Sequence, residues 1–167
     1  AHLTLLVRGR DEAEAQGRGL AVLTGQLQGA GLADATRRVE VLRADVERER
    51  LGLSERAHAD LVGRTTGVIH GAASVSFSLP IEEARAINVD GTRQLLEACV
   101  ATGRRPLFVF TSSVSVFGER QGDPPPRTLD DPLVGTDHYS THKIEGEALV
   151  REGTRIARGF GGGAHPG

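Results

Sequence analysis

The sequence predicts an α/β fold, a doubly wound parallel sheet covered by helices on both faces. Strand-like and helical segments alternate along the 167 residues with the period typical of βαβ units. The apolar runs are short and nearly continuous, as expected for strands buried on both faces of a parallel sheet. The chain contains no internal repeat, so we predict one domain at residues 1–157 and a disordered, glycine-rich tail at 158–167.

Most predicted elements carry a start or stop signal of their own. Asp11, followed three residues later by an acid, resembles a capped helix start, and glycines at 29–31 would end that helix after about 20 residues or slightly fewer. Ser54 would cap a short helix, and Pro80 suits the first turn of a long one. The predicted strands span 3–7, 38–42, 67–70 and 106–110, and the predicted helices span 12–29, 55–61, 81–101 and a segment containing 139–149.

The composition excludes several classes of function. The net charge of −2 and the mixture of charges indicate neither a nucleic-acid surface nor a membrane-binding face. No apolar run approaches the ~20 residues of a transmembrane helix, and no signal peptide opens the chain. The single cysteine, Cys99, lies in an apolar helical run where we expect it to be buried, which fits a reducing cytoplasm. No metal site is predicted.

The start of the chain indicates a fragment. There is no methionine, even at position 1, and the strand at 3–7 begins at once, which predicts that it is the second strand of the intact sheet. Ligands of such sheets bind outside the carboxyl ends of the strands, and an arginine at the end of the second strand accommodates a dinucleotide 2′-phosphate. Arg8 is at that place, with Arg10 and Arg18 following it. The alternative is three solvated arginines.

Two further polar residues are candidates near the strand ends. Asp45, after the second predicted strand, could accept a hydrogen bond from an adenine amino group, or could serve as a turn residue. Asn88 lies in a polar and glycine-containing interruption of the long helix, and could bind a water or a backbone carbonyl near the site. A surface asparagine is the alternative.

Small residues follow the third predicted strand. Gly71, Ala72 and Ala73 would let a flat ligand approach the backbone closely. His70, which ends the strand, is interpreted as structural rather than catalytic.

Three residues form a candidate proton-transfer set. Ser113 follows the fourth predicted strand, where its hydroxyl could donate to a substrate carbonyl oxygen. Tyr139, the only tyrosine, and Lys143 lie one helical turn apart. A free phenol is a poor acid or base at neutral pH, and a nearby ammonium would favour its phenolate form. We therefore predict that the tyrosine exchanges the proton, while the lysine assists it and binds ribose hydroxyls.

These residues resemble the short-chain dehydrogenase/reductase superfamily in its extended form, which has a Rossmann fold. The spacing from Ser113 to Tyr139 fits, as does the Tyr-x-x-x-Lys pair that Tyr139 forms with Lys143. Residues 111–118 are similar to its serine strand, and residues 88–92 to its Asn-Val-x-Gly-Thr element.

A finer resemblance is to the thioester reductase and fatty acyl-CoA reductase branch. It rests on the motifs at 6–8 with 18–20, 51–54 and 68–75. It implies that Arg8 and Arg18 bind the 2′-phosphate of NADP(H), and that Asp45, with Val46, meets the adenine. It also implies that the cofactor contacts Gly71, Ala72, Ala73, Asn88, Ser113, Tyr139 and Lys143. Of these, Ser113, Tyr139 and Lys143 would carry the chemistry.

The chain departs from the family pattern at both ends. The Gly-x-x-Gly-x-x-Gly turn that binds the pyrophosphate, the first βα unit and the substrate domain are expected to lie outside it. Residues 158–167 are glycine-rich where the family has a further strand ending in Arg-Pro-Gly. We therefore expect this isolated chain to bind NADPH weakly or not at all.

The leading hypothesis is a cytoplasmic NADPH-dependent reductase that converts an acyl thioester, free or carrier-bound, to an aldehyde or alcohol. An extended-type nucleotide-sugar epimerase or dehydratase, or a ketone reductase, would use the same residues. A non-catalytic NADP(H)-binding protein is the third alternative. Members of the extended family often pair through helices such as the two long ones predicted here, so a homodimer is one expectation.

Overall fold

The structure, a computed structural model, describes residues 2–75, 79–103, 106–117 and 137–159, with residues 117 and 154–159 described through their backbone only. The strands are β1 (Leu3–Val7), β2 (Val39–Arg43), β3 (Gly67–His70) and β4 (Leu107–Phe110). The helices are α1 (Glu12–Gln26), α2 (Gly29–Arg38), α3 (Glu55–Arg64), α4 (Ile81–Arg85), α5 (Gly91–Ala101) and α6 (His138–Gly159). A π-helical turn, Ala86–Asp90, joins α4 to α5, and short 3₁₀ turns occupy Glu49–Gly52 and Val114–Phe117.

The strands form two parallel pairs. β1 pairs with β2, from Leu3 opposite Val39 onward, and β3 pairs with β4, from Gly67 opposite Leu107 onward. No backbone ladder joins the two pairs within the described ranges. They meet through a shared apolar cluster, which includes Leu6 and Leu42 of the first pair and Phe108 of the second, packed on Ala44, Leu51, Leu61 and Leu95. The parallel strands with intervening helices confirm the predicted α/β class.

Side-chain caps set the starts of two helices as predicted. Asp11 precedes α1, and its Oδ1 accepts the backbone N–H of Glu14 at 2.8 Å. Ser54 precedes α3, and its Oγ accepts the backbone N–H of Ala57 at 3.3 Å. Each cap satisfies a donor that would lack an intrahelical partner. Pro80 directly precedes α4, as predicted for a helix start.

The prediction of one helix up to residues 29–31 was wrong. α1 ends at Gln26, Leu27 is extended, and α2 starts at Gly29, whose φ of +55° suits a glycine. The glycines interpreted as a stop begin a second helix, because the alanines among residues 30–35 are strong helix formers. Helix α6 continues to Gly159, so residues 158 and 159, which were expected in the tail, are helical. Residues 160–167 and the Pro-rich loop at 121–131 lie outside the described residues.

Burial of the strands is shallower than predicted. Leu3 is 48% exposed and the rest of β1 is half-buried, while Ile69 of β3 and Leu107 of β4 are 77% and 70% exposed. In β3 and β4 exposed side chains alternate with less exposed ones, and the exposed positions lie opposite each other, so one face of this pair is covered and the other is open. Cys99, in contrast, is 9% exposed, as expected. Across the described ranges, none of the helices combines the length and the apolar character needed to cross a membrane.

Glycines allow two close contacts between layers. A Cβ built on Gly19 of α1 would lie 2.5 Å from Val41 Cγ2 of β2. A Cβ on Gly91, at the start of α5, would lie 2.8 Å from Val46 Cγ2 in the loop after β2. Both distances are far below a normal carbon–carbon contact of about 3.5–4.0 Å. Helices α1 and α5 therefore pack closely enough to need glycine at these positions.

Candidate active site

Lys143 lies at the centre of the candidate site, where α6 crosses the end of β4. Its side chain is 4% exposed, and its Nζ donates to the backbone oxygen of Thr111 at 2.9 Å. Nζ is 5.2 Å from the centroid of the Phe110 ring and 5.9 Å from that of Tyr139. Burial lowers the pKa of Lys143. The ammonium is thus held between the strand end and the tyrosine predicted to exchange the proton.

Tyr139 lies in the first turn of α6 and is half-buried. Asp137 and Ser140 set that helix start: Asp137 Oδ1 accepts the Ser140 N–H at 2.8 Å, and Ser140 Oγ donates to the Asp137 oxygen at 2.9 Å. Ser140 is fully buried, whereas Asp137 is exposed. The sequence reasoning did not single out this pair, although an aspartate three residues before a serine is a capping signal.

Ser113 follows β4 and is half-buried. Its Oγ lies 2.8 Å from Ser115 Oγ and accepts the backbone N–H of Ser115 at 3.2 Å. These bonds fix the serine at the start of the 3₁₀ turn, with a neighbouring hydroxyl able to exchange a proton with it. The segment after β4 and helix α6 therefore supply all three members of the predicted set.

A second polar group beside Ser113 was missed. Ser112 Oγ donates to Glu147 Oε1 at 2.5 Å, and Glu147 Oε2 accepts from Arg151 Nη2 at 3.2 Å. These residues line an open cleft of about 540 Å³ together with Ser113 and the valines of that turn and of α6. The cleft places the candidate serine on a surface that a substrate can reach. Its sequence signal is weak, because an i,i+4 acid–base pair occurs on many helices.

The predicted phosphate-binding arginines meet at the end of β1. Arg18 reaches back from α1 and donates through Nη1 to the backbone oxygen of Arg8 at 2.6 Å. The Arg8 guanidinium, 59% exposed, pairs with Glu47 in the loop after β2. Arg10, which was not assigned a role, pairs with Glu14 instead. Two guanidinium groups therefore lie at one strand end, one of them engaged by an acid.

Asp45 and Val46 lie in the neighbouring loop, both half-buried. Asp45 Oδ1 accepts the backbone N–H of Glu47 at 3.1 Å, and the Asp45 N–H donates to the oxygen of Leu51 at 2.8 Å. Leu51 is in the left-handed region, with a φ of +60°, although its side chain is 1% exposed. Asp45 is thus a turn residue in this structure, with one carboxylate oxygen bonded to the backbone.

Gly71 and Ala72 are exposed and Ala73 is half-buried, so the small residues after β3 offer an accessible backbone. Gly71 has room around it, since an added Cβ would meet only Thr111 Oγ1, at 3.8 Å. Asn88 is 3% exposed, and its two side-chain polar atoms bond the backbone of Ser74. Its amide therefore holds the segment after β3, as the backbone-carbonyl alternative predicted.

Comparison with known proteins decides the family. Residues 1–157 match the model of the NAD-binding family described as male sterility protein. The chain belongs to this family. Among curated relatives, this male sterility-type domain is 34% identical over 161 residues to glycine betaine reductase ATRR of Emericella nidulans, a match that covers 93% of the domain and 13% of that protein. It is 31% identical over 140 residues to the large subunit of L-2-aminoadipate reductase of Penicillium chrysogenum, a match that covers 74% of the domain and 10% of that protein.

Solved structures agree with this assignment. The terminal R domain of the myxalamid PKS-NRPS biosynthetic pathway is 33% identical, with a TM-score of 0.76, and the match covers 93% of the domain and 39% of that chain. The reductase domain of a Mycobacterium tuberculosis nonribosomal peptide synthetase, at 24% identity and a TM-score of 0.72, shows the same fold. The male sterility-type domain therefore spans about 13% of the first curated relative and 39% of the first structural one.

The family binds a nicotinamide dinucleotide, and the residues present fit such a group. The exposed guanidinium of Arg8 suits a phosphate, the open backbone at Gly71 and Ala72 suits a flat ring system, and Lys143 supplies a buried cation near a half-buried phenol. The family match and the solved structures confirm the predicted Rossmann-type short-chain dehydrogenase/reductase fold and the reductase branch.

Proposed function

We propose that this male sterility-type domain belongs to an NADPH-dependent reductase of acyl thioesters that uses Ser113, Tyr139 and Lys143. The observation that carries the proposal is the buried ammonium of Lys143, anchored on Thr111 and 5.9 Å from the Tyr139 ring. A buried cation beside a phenol, at the strand end that carries a serine, is an arrangement for moving one proton to a carbonyl oxygen.

Each of the three side chains has a distinct role in the proposed reaction. Ser113 donates a hydrogen bond to the thioester carbonyl oxygen and positions it. Tyr139 gives its proton to that oxygen as negative charge develops, and Lys143 stabilises the phenolate that remains. When bound, the reduced nicotinamide supplies the hydride to the carbonyl carbon. The C–S bond of the resulting hemithioacetal then breaks as its hydroxyl loses a proton and the sulfur gains one, which releases aldehyde and thiol. A proton from solvent restores Tyr139, and a second round would yield the alcohol.

The preference for NADPH over NADH rests on the first strand end. An acid at this place would bind ribose hydroxyls, whereas an arginine fork matches the 2′-phosphate. The Arg8 side chain is 59% exposed although it pairs with Glu47, and Arg18 is fixed to the backbone of Arg8. The proposed substrate is a thioester on a carrier, a choice supported by the resemblance to an R domain of a PKS-NRPS pathway.

Replacement of Tyr139 by phenylalanine in the full-length protein tests the proposal. We expect kcat to fall by about 10²–10⁴-fold, the usual contribution of a positioned acid, with little change in NADPH affinity. Thr141→Ala is a matched control, because Thr141 is exposed on the same helix turn. Turnover of the phenylalanine variant at the control's rate would refute the assignment, and would favour a non-catalytic NADP(H)-binding protein.

A second candidate is oxidoreduction of an alcohol or ketone. It is favoured by 37% identity over 94 residues to D-erythronate dehydrogenase of Cupriavidus necator, a match covering 56% of this chain and 26% of that protein. The same variant pair, assayed with hydroxy acids, ketones and nucleotide-sugars beside acyl-CoA, separates the two. Turnover confined to a non-thioester substrate would replace the first proposal.

A further inference from the structure

Three buried polar residues next to the candidate site take no part in the proposed chemistry. His70, Asn88 and Thr92 are 2%, 3% and 0% exposed. His70 ends β3, Asn88 lies in the π-helical turn, and Thr92 lies in the first turn of α5. Buried polar side chains are costly unless their hydrogen bonds are made, so the bonds among them indicate what they do.

The direction of those bonds fixes the tautomer of His70. Thr92 Oγ1 donates to the backbone oxygen of Asn88 at 2.8 Å. A threonine hydroxyl has one proton, so its second contact, 2.9 Å from His70 Nε2, must be one in which the imidazole donates. Nε2 of His70 therefore carries a proton in this arrangement. Burial, assisted by the charge of Lys143, lowers the pKa of His70 to about 4.

The π-helical turn also holds the other end of the small segment 71–73, because Asn88 bonds the backbone of Ser74. Asn88 Oδ1 accepts the backbone N–H of Ser74 at 2.7 Å, and Asn88 Nδ2 donates to the Ser74 oxygen at 3.1 Å. The segment made of Gly71, Ala72 and Ala73 thus lies between two anchors. His70 is tied to Thr92 on one side, and Ser74 is tied to Asn88 on the other.

Thr92 connects the two anchors, because its single hydroxyl bonds both His70 and the backbone of Asn88. The Asn88 carbonyl that it engages belongs to a π-helical turn, a feature frequent at functional sites. We propose that Thr92 is a positioning residue that, through His70 and Asn88, holds segment 71–73 in the conformation that receives the nicotinamide cofactor. This proposal rests on the proposed function in one respect, which is that the cofactor binds on segment 71–73.

Thr92→Val tests the proposal, since it keeps the shape of the side chain and removes the hydroxyl. In the full-length protein we expect the Kd for NADPH to rise about tenfold, with kcat within about twofold of wild type, and Thr92→Ser to restore the affinity. In the cofactor-free protein we expect amide hydrogen exchange across 71–74 to speed up about tenfold in Thr92→Val and not in Thr92→Ser.

Thr65→Val is a matched control. Thr65 Oγ1 donates to the Leu61 oxygen at 2.7 Å, also four residues back, but just before the opposite end of β3. It should change neither readout. Asn88→Asp is the second test variant if Thr92→Val does not fold: it keeps the acceptor for the Ser74 N–H and loses the donor to its oxygen, so exchange at 71–74 should again accelerate.

Exchange and NADPH affinity that match wild type in both Thr92→Val and Asn88→Asp would overturn the proposal. The exchange measurement needs no turnover, so it separates this inference from the proposed function. Faster exchange at 71–74 together with an unaffected Tyr139→Phe enzyme would retain the positioning role and reject the catalytic assignment.

Discussion

The contact between Gly19 and Val41 gives a sharp test of how closely α1 packs on β2. Alanine at position 19 would place its Cβ 2.5 Å from Val41 Cγ2 and 2.9 Å from Cγ1, whereas normal carbon contacts are about 3.5–4.0 Å. A β-branched valine has little rotamer freedom, so the helix must move outward by roughly 1 Å. Overpacking of this kind costs about 1–3 kcal/mol.

Gly17 provides the matched control on the same helix, because an added Cβ there meets nothing within 4 Å. Both alanine variants gain helix propensity of about 1 kcal/mol over glycine, and only one overpacks. Gly17→Ala should therefore raise the free energy of unfolding, and the two variants should differ by about 1–3 kcal/mol. For a domain of this size that difference is roughly 2–12 °C in Tm.

Urea unfolding followed by circular dichroism measures both variants against the unsubstituted chain. The decisive quantity is the difference between the variants, since helix propensity cancels in it. Equal stabilisation by both substitutions would show that α1 is farther from β2 than the structure places it. The Arg18 side chain, which α1 carries, would then also be farther from Arg8.

Two further predictions concern buried titratable groups. Burial, assisted by Lys143, lowers the pKa of His70 to about 4 from an ordinary 6.5, so below pH 6.5 the unfolded chain binds a proton that the folded chain does not. The free energy of unfolding should fall by about 3 kcal/mol in total between pH 6.5 and 4, and urea midpoints should depend less on pH in His70→Gln; identical pH profiles would contradict this. Burial also raises the pKa of Cys99 to about 11, so its thiol should react with a disulfide reagent at pH 8 only as fast as the chain unfolds, and rapid modification of the native protein would place Cys99 outside the core.

Local signals in the sequence predict much of the fold. The four strands of the described residues were placed within one residue of the observed bounds, because apolar runs of four or five residues bounded by glycine, proline or polar residues are too short for a typical helix. The caps Asp11 and Ser54 were recognisable because their bonds run to residues three positions away. The α/β class follows from the alternation of strand-like and helical segments, and the family comparison confirms it.

Features set by tertiary contacts were not predictable in the same way. Arg50 and Leu51 adopt positive φ, which neither residue type signals, and the buried Leu51 side chain explains how the turn is held. α2 was missed because a glycine at its start looks like a stop. In the candidate site the motif indicated Ser113, Tyr139 and Lys143, but their partners depend on how β4 meets α6.

The partners show this directly. Lys143 bonds the backbone of Thr111, and Ser113 shares its bonds with Ser115; neither contact is implied by a spacing of four residues. The two hydrogen bonds from the Asn88 side chain to the backbone of Ser74 likewise join residues 14 positions apart. The sequence therefore indicates the candidate site residues more readily than the bonds that hold them.

The separation of the strands into two hydrogen-bonded pairs has a consequence for any ligand that spans them. Arg8 and Asp45 follow the first pair, whereas Gly71 and Ser113 follow the second. In the described residues no backbone ladder joins the two pairs, which meet through the apolar cluster. A dinucleotide with its adenine end on one pair and its nicotinamide end on the other would contact both pairs and link them. Its binding energy would then also stabilise the packing of one pair against the other, so the free energy of unfolding would rise with cofactor concentration.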